Sequence, residues 1–152
     1  MTVRPATDED VDALAALRRA WVEEDAGPVD DAAYEPAFAD WYAREGDHRL
    51  AWLGLVDDAP VGMLNLLEYR RMPRPGRLDS RWGYISNVFV LRDHRNNGLG
   101  RELLDAALAA AHERAYVRLV LSPSERAIPF YARAGFVAAD ELMIRSMVPG
   151  SG

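Results

Sequence analysis

Residues 88–101 constrain this chain most, because they run from an apolar strand through a polar turn into an amphipathic helix. The turn ends in Gly98 and Gly100, and Arg95 and Arg101 flank it. Backbone N–H groups at a helix start have no intrahelical partner, and the helix dipole adds partial positive charge there. Glycine lets an anion approach that backbone, and arginine binds phosphate oxygens. The stretch therefore predicts an anion-binding site, with a pyrophosphate as the expected ligand.

The length and composition indicate a single soluble domain. A chain of 152 residues is long enough to bury a core. It has no run of about 18 apolar residues and no apolar segment at its start, so we expect no membrane association and a cytoplasmic location. The absence of cysteine excludes disulfides and thiol nucleophiles. All 18 basic residues are arginine, which together with the many alanines is typical of a GC-rich bacterial genome.

The net charge of −6 is unevenly distributed along the chain. Acidic residues outnumber arginines up to Asp58, and arginines outnumber acidic residues from Ala59 onward. The acidic total argues against nucleic-acid binding, which depends on neutralising phosphates. The split predicts an anionic ligand for the second half. For the first half, a cationic partner and solvated helix faces both remain open.

Hydrophobic periodicity predicts a strand, two helices, three strands, a helix, a strand, a short helix and two closing strands. This order is typical of an α/β protein with a mixed central sheet of 6–7 strands and about four flanking helices. We predict one domain over residues 1–148 and a disordered tail over 149–152. The predicted strands are 2–5, 50–56, 61–69, 82–91, 116–121, 136–138 and 142–148, and the helices are about 8–21, 31–44, 99–114 and one that contains Phe130 and Tyr131.

Several other kinds of site are excluded by the residues present. A Walker P-loop needs lysine, which the chain lacks. The dinucleotide fingerprint needs a third glycine, but Leu103 occupies that position. His48, His94 and His112 are isolated and show no ligand spacing, so no metal site is predicted.

Two segments instead carry a family resemblance. The first is Arg95-x-x-Gly98-x-Gly100, which satisfies the pyrophosphate signature R/Q-x-x-G-x-G/A on a strand–turn–helix. The second, residues 124–136, is similar to the pattern N-x-x-A-x-x-F/L-Y-x-x-x-G-F, except that serine replaces the asparagine at Ser124. With an N-terminal segment, residues 3–10, that also fits, the chain resembles the GNAT superfamily of acyl-CoA-dependent N-acetyltransferases over essentially its whole length.

The resemblance implies a GNAT fold, acetyl-CoA as cosubstrate, and a role for each matching residue. Backbone amides of the turn would hold the CoA pyrophosphate, and strand residues would face the pantetheine arm in an opening of the sheet. Tyr131 would donate a proton to the departing thiolate. The implied cofactor-binding residues are Val88, Phe89, Val90, Arg95, Asn96, Asn97, Gly98, Leu99, Gly100, Arg101, Ser124 and Phe130.

The group that deprotonates the amine is less clearly marked. Many members of the superfamily have a carboxylate on the central strand, whereas the comparable position here is Asn87, which cannot act as a base. Glu68, Asp79 and Tyr84 are the candidates on this chain. We favour Glu68 as the catalytic base, with deprotonation through water as the competing hypothesis.

The predicted function is acetyl transfer from acetyl-CoA to a primary amine by direct attack in a ternary complex. Acids at Glu23, Glu24, Asp25 and elsewhere in the first half motivate the hypothesis of a cationic acceptor, either a small molecule or a peptide amine. Dimers are common in the superfamily, so a homodimer is a further expectation. The alternative is a catalytically silent GNAT fold that senses acyl-CoA or binds a protein partner.

Overall fold

Five strands form one mixed sheet in the order in which they follow along the chain. The first four are antiparallel to their neighbours, and the fifth is parallel to the fourth. The strands are β1 (Thr2–Pro5), β2 (Arg49–Val56), β3 (Ala59–Arg70), β4 (Arg81–Val90) and β5 (Leu119–Leu121), and the helices are α1 (Val11–Ala26), α2 (Tyr34–Glu45), α3 (Leu99–Glu113) and α4 (Ile128–Arg133).

A computed structural model describes residues 1–148. They form two compact units, residues 1–121 with the sheet and the first three helices, and a second unit that begins at Ser122. The single domain over 1–148 stays a prediction, and the predicted tail over 149–152 lies outside the described residues. Among the described residues, no helix combines the length and apolar character needed to cross a membrane.

The predicted helices of the first unit are confirmed, with small shifts at their ends. A 3-10 turn over Asp8–Asp10 precedes α1, where Asp10 Oδ2 accepts a 2.8 Å hydrogen bond from the Thr7 backbone N–H. Helix α1 extends beyond the predicted end because its glutamates are good helix formers, and it stops at Gly27, whose φ is 77°. Helix α3 agrees with the prediction to within one residue.

The predicted strands 50–56 and 61–69 pair with each other as a hairpin, formed by β2 and β3. Val56 pairs with Ala59, so only Asp57 and Asp58 form the turn. Their φ angles are 49° and 61°, in the left-handed region that two-residue hairpin turns require and that aspartate tolerates.

Each face of the sheet packs against different helices. On one face, Leu99 of α3 lies so near that a Cβ added at Gly54 would be 2.8 Å from its Cδ1. On the other face, Leu14 and Leu17 of α1 form a buried cluster with Leu53, Met63, Phe89 and neighbouring side chains. Aromatic residues of α2, including Phe38 and Tyr42, pack against this buried cluster, so the aromatic face of α2 is part of the core.

The predicted count of 6–7 strands is wrong for the described residues, because the sheet has five and no strand follows Leu121. Segments 136–138 and 142–148 are apolar enough for strands, but neither belongs to the five-stranded sheet, because apolar character alone does not supply the neighbouring strand that a sheet strand requires. Strand β5 is also shorter than predicted. Ala115 has a φ of 54° and the Tyr116 N–H donates to Ala111, so Tyr116 belongs to the end of α3.

Candidate active site

The turn between β4 and α3 presents a row of free backbone amides. Gly98 is the N-cap of α3 with a φ of 89°, and Asn96 has a φ of 62°. Within the described residues, no acceptor receives a hydrogen bond from the N–H groups of residues 96–100. A Cβ added at Gly98 would meet nothing within 4 Å, so the space before these amides is open. This geometry suits an anion with several oxygens, such as a pyrophosphate.

The Arg95 guanidinium stabilises this turn through two hydrogen bonds. Its Nε donates to the Val90 carbonyl at 2.8 Å, and its Nη2 donates to Glu24 Oε2 of α1 at 2.6 Å. Arg92 donates to the other oxygen of Glu24 at 3.3 Å. Hydrogen bonding from Arg95, followed by that from Arg92, keeps the pKa of Glu24 below its usual value. The guanidinium of Arg95 thus fixes the shape of the turn and ties it to α1.

Strands β4 and β5 separate beside this turn. Their parallel pairing covers only Gly83–Ile85 of β4, whereas β3 continues to pair with β4 as far as Val90. Between Val88 and Val90, the edge of β4 on the β5 side therefore has backbone groups that no strand within residues 1–148 pairs with. A bulge lies at the same place, since Ile85 pairs with Leu66 and Asn87 with Asn65, leaving Ser86 unpaired. A bulge bends its strand, which accounts for the opening.

Polar side chains gather at the bulge. Asn65 is buried, and its Oδ1 accepts a 3.0 Å hydrogen bond from Arg49 Nη1. The Ser86 hydroxyl lies 3.3 Å from Asn65 Oδ1 and 3.1 Å from Asn87 Oδ1, so it can donate to either. Arg49 also lies over the ring of Trp41 at 4.7 Å. The opening is thus lined on the α1 and α2 side by hydrogen-bonding groups.

The free amides at the start of α3 lie next to the unpaired edge of β4. A family model matches the part of the chain that contains both features. The model describes the acetyltransferase (GNAT) family and matches residues 14–136. The chain belongs to the GNAT family. Members of this family use acetyl-CoA, and the open edge and free amides fit that cosubstrate.

Solved GNAT structures resemble the chain over almost its full length. A predicted acetyltransferase from Clostridium acetobutylicum, determined with acetyl-CoA, has a TM-score of 0.77 at 19% identity and covers 95% of each chain. A GCN5-related N-acetyltransferase from Ralstonia eutropha has a TM-score of 0.71 at 28% identity and covers 95% of this chain and 97% of its own. The predicted GNAT fold is therefore confirmed, with the strand count corrected above.

A curated relative matches more locally. Glucosamine 6-phosphate N-acetyltransferase of Trypanosoma brucei brucei is 30% identical over 83 residues, which are 55% of this chain and 54% of that protein. The chain thus spans about half the length of this relative. The match supports membership of the GNAT family and leaves the acceptor of this chain to be argued from its own residues.

The GNAT segment that carries Tyr131 lies in the second unit. Tyr131 is half-buried between Phe130, at 5.1 Å, and Phe136, at 5.7 Å, and burial raises the pKa of its phenol. Gly135, with a φ of 91°, ends α4 as predicted. Ser124 is exposed at the N-cap of the preceding turn, but its side chain makes no capping hydrogen bond.

Glu68 lies on the sheet face opposite α1, at the closed part of the β4–β5 pair. It is paired in register with Gly83, before the strands separate. Its Oε1 accepts a 2.8 Å hydrogen bond from the Tyr116 hydroxyl, and its Oε2 lies 3.1 Å from Arg70 Nε. A general base must accept a proton, and protonation of the Glu68 carboxylate would weaken both of these interactions. They therefore argue against Glu68 as the base. Its role as the base stays a prediction.

Charges around Glu68 also act on its ionisation. Burial by itself raises the pKa of this carboxyl, but the hydrogen bonds from Tyr116 and Arg70 and the charges of Arg114 and Arg81 more than offset burial and lower it. The same hydrogen bond, added to burial, raises the pKa of the Tyr116 phenol. Glu68 is therefore the buried anion of an arginine cluster and stays ionised at neutral pH.

Sequence reasoning missed the polar group at the bulge. Arg49, Asn65 and Ser86 follow no motif, and the hydrogen bonds that join them cross from β2 to β3 and β4. Trp41 lies in the second predicted helix, and its sequence context alone does not distinguish core packing from a substrate wall. The buried asparagine in an otherwise apolar run was the one signal in the sequence that could have pointed here.

Among the described residues, no three histidine or acidic side chains lie close enough together to hold a metal ion.

Proposed function

We propose that this GNAT protein transfers the acetyl group of acetyl-CoA to a primary amine by direct attack in a ternary complex. The observation that carries the proposal is the row of free amides at residues 96–100 next to the unpaired edge of β4. A pyrophosphate on those amides would lead its attached pantetheine directly along the strand edge.

The cofactor-binding residues follow from that placement. The amides of Asn96, Asn97, Gly98, Leu99 and Gly100 bind the pyrophosphate, and Arg101 stands at the next position of the helix with its charge paired to Asp105 at 2.8 Å. Arg95 holds the turn in shape through its bonds to Glu24 and Val90, in addition to contributing charge.

The thioester end uses the strand and the second segment. Backbone groups of Val88, Phe89 and Val90 pair with the amides of pantetheine, as a further strand would. Phe130 packs near the cofactor, and Ser124 contributes a hydroxyl in place of the superfamily asparagine. These assignments rest on the family pattern.

Acetyl transfer needs one proton removed and one supplied. The neutral amine attacks the thioester carbonyl, the C–S bond breaks, and the departing thiolate takes a proton from Tyr131. Burial raises the pKa of the Tyr131 phenol, so the hydroxyl keeps its proton until the thiolate forms. We favour loss of the amine proton to a water molecule bound by Ser86 and Asn87. Glu68 is less suited to accept this proton, because its carboxylate already accepts a hydrogen bond from Tyr116 and forms ion pairs with arginines.

The test is release of CoA thiol from acetyl-CoA across a library of amines that includes glucosamine 6-phosphate, amino acids, peptides and polyamines. Steady, amine-dependent release supports the enzyme. Binding of CoA by calorimetry without turnover across the library would instead support the acyl-CoA sensor. Tyr131→Phe serves as the matched variant, and we expect it to lower kcat while the affinity for acetyl-CoA is kept.

A further inference from the structure

Arg49 is a largely buried arginine that has no carboxylate within hydrogen-bond distance among the described residues. Its side chain is only 17% exposed, lying between the Trp41 ring and Asn65. Nη1 donates to the neutral amide oxygen of Asn65 at 3.0 Å. Nε is buried and has no hydrogen-bond partner among the described residues. A mostly buried cation is costly unless an anion compensates it.

The nearest carboxylate does not supply that compensation. Glu45 Oε2 lies 3.9 Å from Arg49 Nε, beyond hydrogen-bond distance, on a side chain that is 41% exposed. Other arginines of this unit have close carboxylates, at 2.7 Å between Arg19 and Glu35 and 2.6 Å between Arg95 and Glu24. Arg49 thus differs from these arginines in lacking a close anion.

Hydrogen bonds link Arg49, on β2, to the bulge of β4 through Asn65, on β3. Asn65, which binds its guanidinium, is paired in register with Asn87, and the Ser86 hydroxyl lies within hydrogen-bond distance of the same Asn65 oxygen. Pairing between β4 and β5 ends one residue earlier, at Ile85. Two hydrogen bonds therefore connect the Arg49 guanidinium to the place where the strands separate.

We propose that Arg49 binds an anionic group, a carboxylate or a phosphate, of a small acceptor whose amine reaches the β4 opening. This inference rests on the proposed acetyl transfer. A small acceptor fits because the guanidinium and the Ser86 hydroxyl contact the same oxygen, Asn65 Oδ1, at 3.0 Å and 3.3 Å. Arginine suits the role because its fork matches carboxylate and phosphate oxygens.

This inference replaces the hypothesis of a cationic acceptor. That hypothesis rested on the acids between α1 and α2, but the structure pairs Glu23 and Glu35 with Arg19. Glu24 is likewise paired with Arg92 and Arg95. The charge of these three glutamates is thus already compensated by arginines, whereas Arg49 has no carboxylate within hydrogen-bond distance among the described residues.

The experiment compares acceptors that differ only in the anionic group. Beta-alanine is set against beta-alaninamide, and O-phosphoethanolamine against ethanolamine, so that the two arms separate a carboxylate from a phosphate. Spermidine serves as the cationic acceptor. For each, kcat/KM is measured by CoA thiol release, and binding is measured by calorimetry with CoA present.

We expect at least one anionic acceptor to exceed its neutral counterpart by about tenfold or more in kcat/KM. Arg49→Gln should remove that preference, because it lowers kcat/KM for the anionic acceptor more than for its neutral counterpart. Arg49→Lys should restore part of it, because the charge returns without the planar fork. Arg44→Gln, on an exposed arginine of the neighbouring helix, is the matched control and should keep the preference.

Two other outcomes would contradict the inference, and a third would separate it from the proposed function. If Arg49→Gln lowers kcat/KM equally for charged and neutral acceptors, Arg49 only braces α2 against the sheet and the inference is wrong. A wild-type preference for spermidine would also overturn it. If no amine is acetylated, the proposed function fails, and calorimetry then decides on the anion site alone, since anionic compounds must still bind more tightly than neutral ones and lose that advantage in Arg49→Gln.

Discussion

A single backbone angle at Gly98 sets the direction of the amides that we assign to the pyrophosphate. Gly98→Ala places a side chain at a φ of 89°, which costs about 1 kcal/mol of folding stability and shifts the amides away from the ligand. We expect weaker binding of CoA by calorimetry, together with this small loss in the free energy of unfolding.

Gly76 offers a matched control for that change. It has a φ of 80° and, like Gly98, no atom within 4 Å of an added Cβ, but it lies in the exposed loop before β4. Gly76→Ala should therefore cost similar stability and leave CoA affinity unchanged. Equal CoA affinity in both variants would contradict the assignment of residues 96–100.

Glu68 provides a second test at the residue scale. Because the folded state lowers the pKa of this carboxyl, its stabilising effect is complete at neutral pH and declines as the pH falls through the folded-state pKa. Glu68→Gln should cost about 1–3 kcal/mol at pH 7, and the difference from wild type should shrink below about pH 4. Denaturant unfolding across pH measures this.

The same variant separates a structural Glu68 from a catalytic one. If Glu68 has a structural role, Glu68→Gln and wild type should have the same pH–rate profile for acetyl transfer when rates are compared at equal concentrations of folded protein. A profile that loses its acidic limb in Glu68→Gln, where the rate of the wild type rises as the base loses its proton, would restore Glu68 as the base. Glu113→Gln, an exposed carboxylate on α3, is the control for both measurements.

At the scale of elements, Arg19 joins α1 to α2 and the connection between them. Its guanidinium donates to both oxygens of Glu35, at 2.7 Å and 3.0 Å, and to the carbonyls of Val29 and Asp31. Arg19→Gln should release this connection, and we expect several-fold faster hydrogen exchange over residues 27–35. Arg18→Gln on the same helix, where Arg18 contacts the Trp21 ring, should leave that exchange unchanged.

The elements themselves were largely predictable, since helical periodicity and turn residues are local signals. Leu99 and Leu103 marked the buried side of α3, and Asp57 with Asp58 marked the hairpin. The bulge at Ser86 was not predictable, because β4 carries apolar residues on both faces and its sequence has no clear alternation that an extra residue would interrupt. The site followed the same division, with the local turn at Gly98 predicted and the polar group around Asn65 missed.

At the scale of the whole molecule, ligand binding should appear as stability. A ligand that binds only the folded protein stabilises it by about 2.7 kcal/mol at a concentration of 100 Kd. Acetyl-CoA at that excess should raise the thermal unfolding midpoint by several degrees. ATP has phosphates but no pantetheine arm for the β4 edge, so it should produce a clearly smaller shift, and an equal shift would point to a general nucleotide site.

Net charge sets the conditions for that measurement. The chain carries −6 overall and has a sequence pI of about 5.0, so its average field repels an anionic cosubstrate. The local amides and arginines must overcome this repulsion at short range. Added salt should therefore weaken acetyl-CoA binding less than it would for a strongly basic protein.

The opening between β4 and β5 depends on a single residue, because β4 contains one residue more, Ser86, than its pairing with β3 requires. Trp82 and Tyr84 lie on the same face as Asn87 and Phe89 only because Ser86 is inserted between them. Deleting Ser86 would leave every remaining side chain on its present face and take away the bend. A chain shorter by this one residue should keep the core of this protein and lose the gap between two strands where we propose that acetyl-CoA binds.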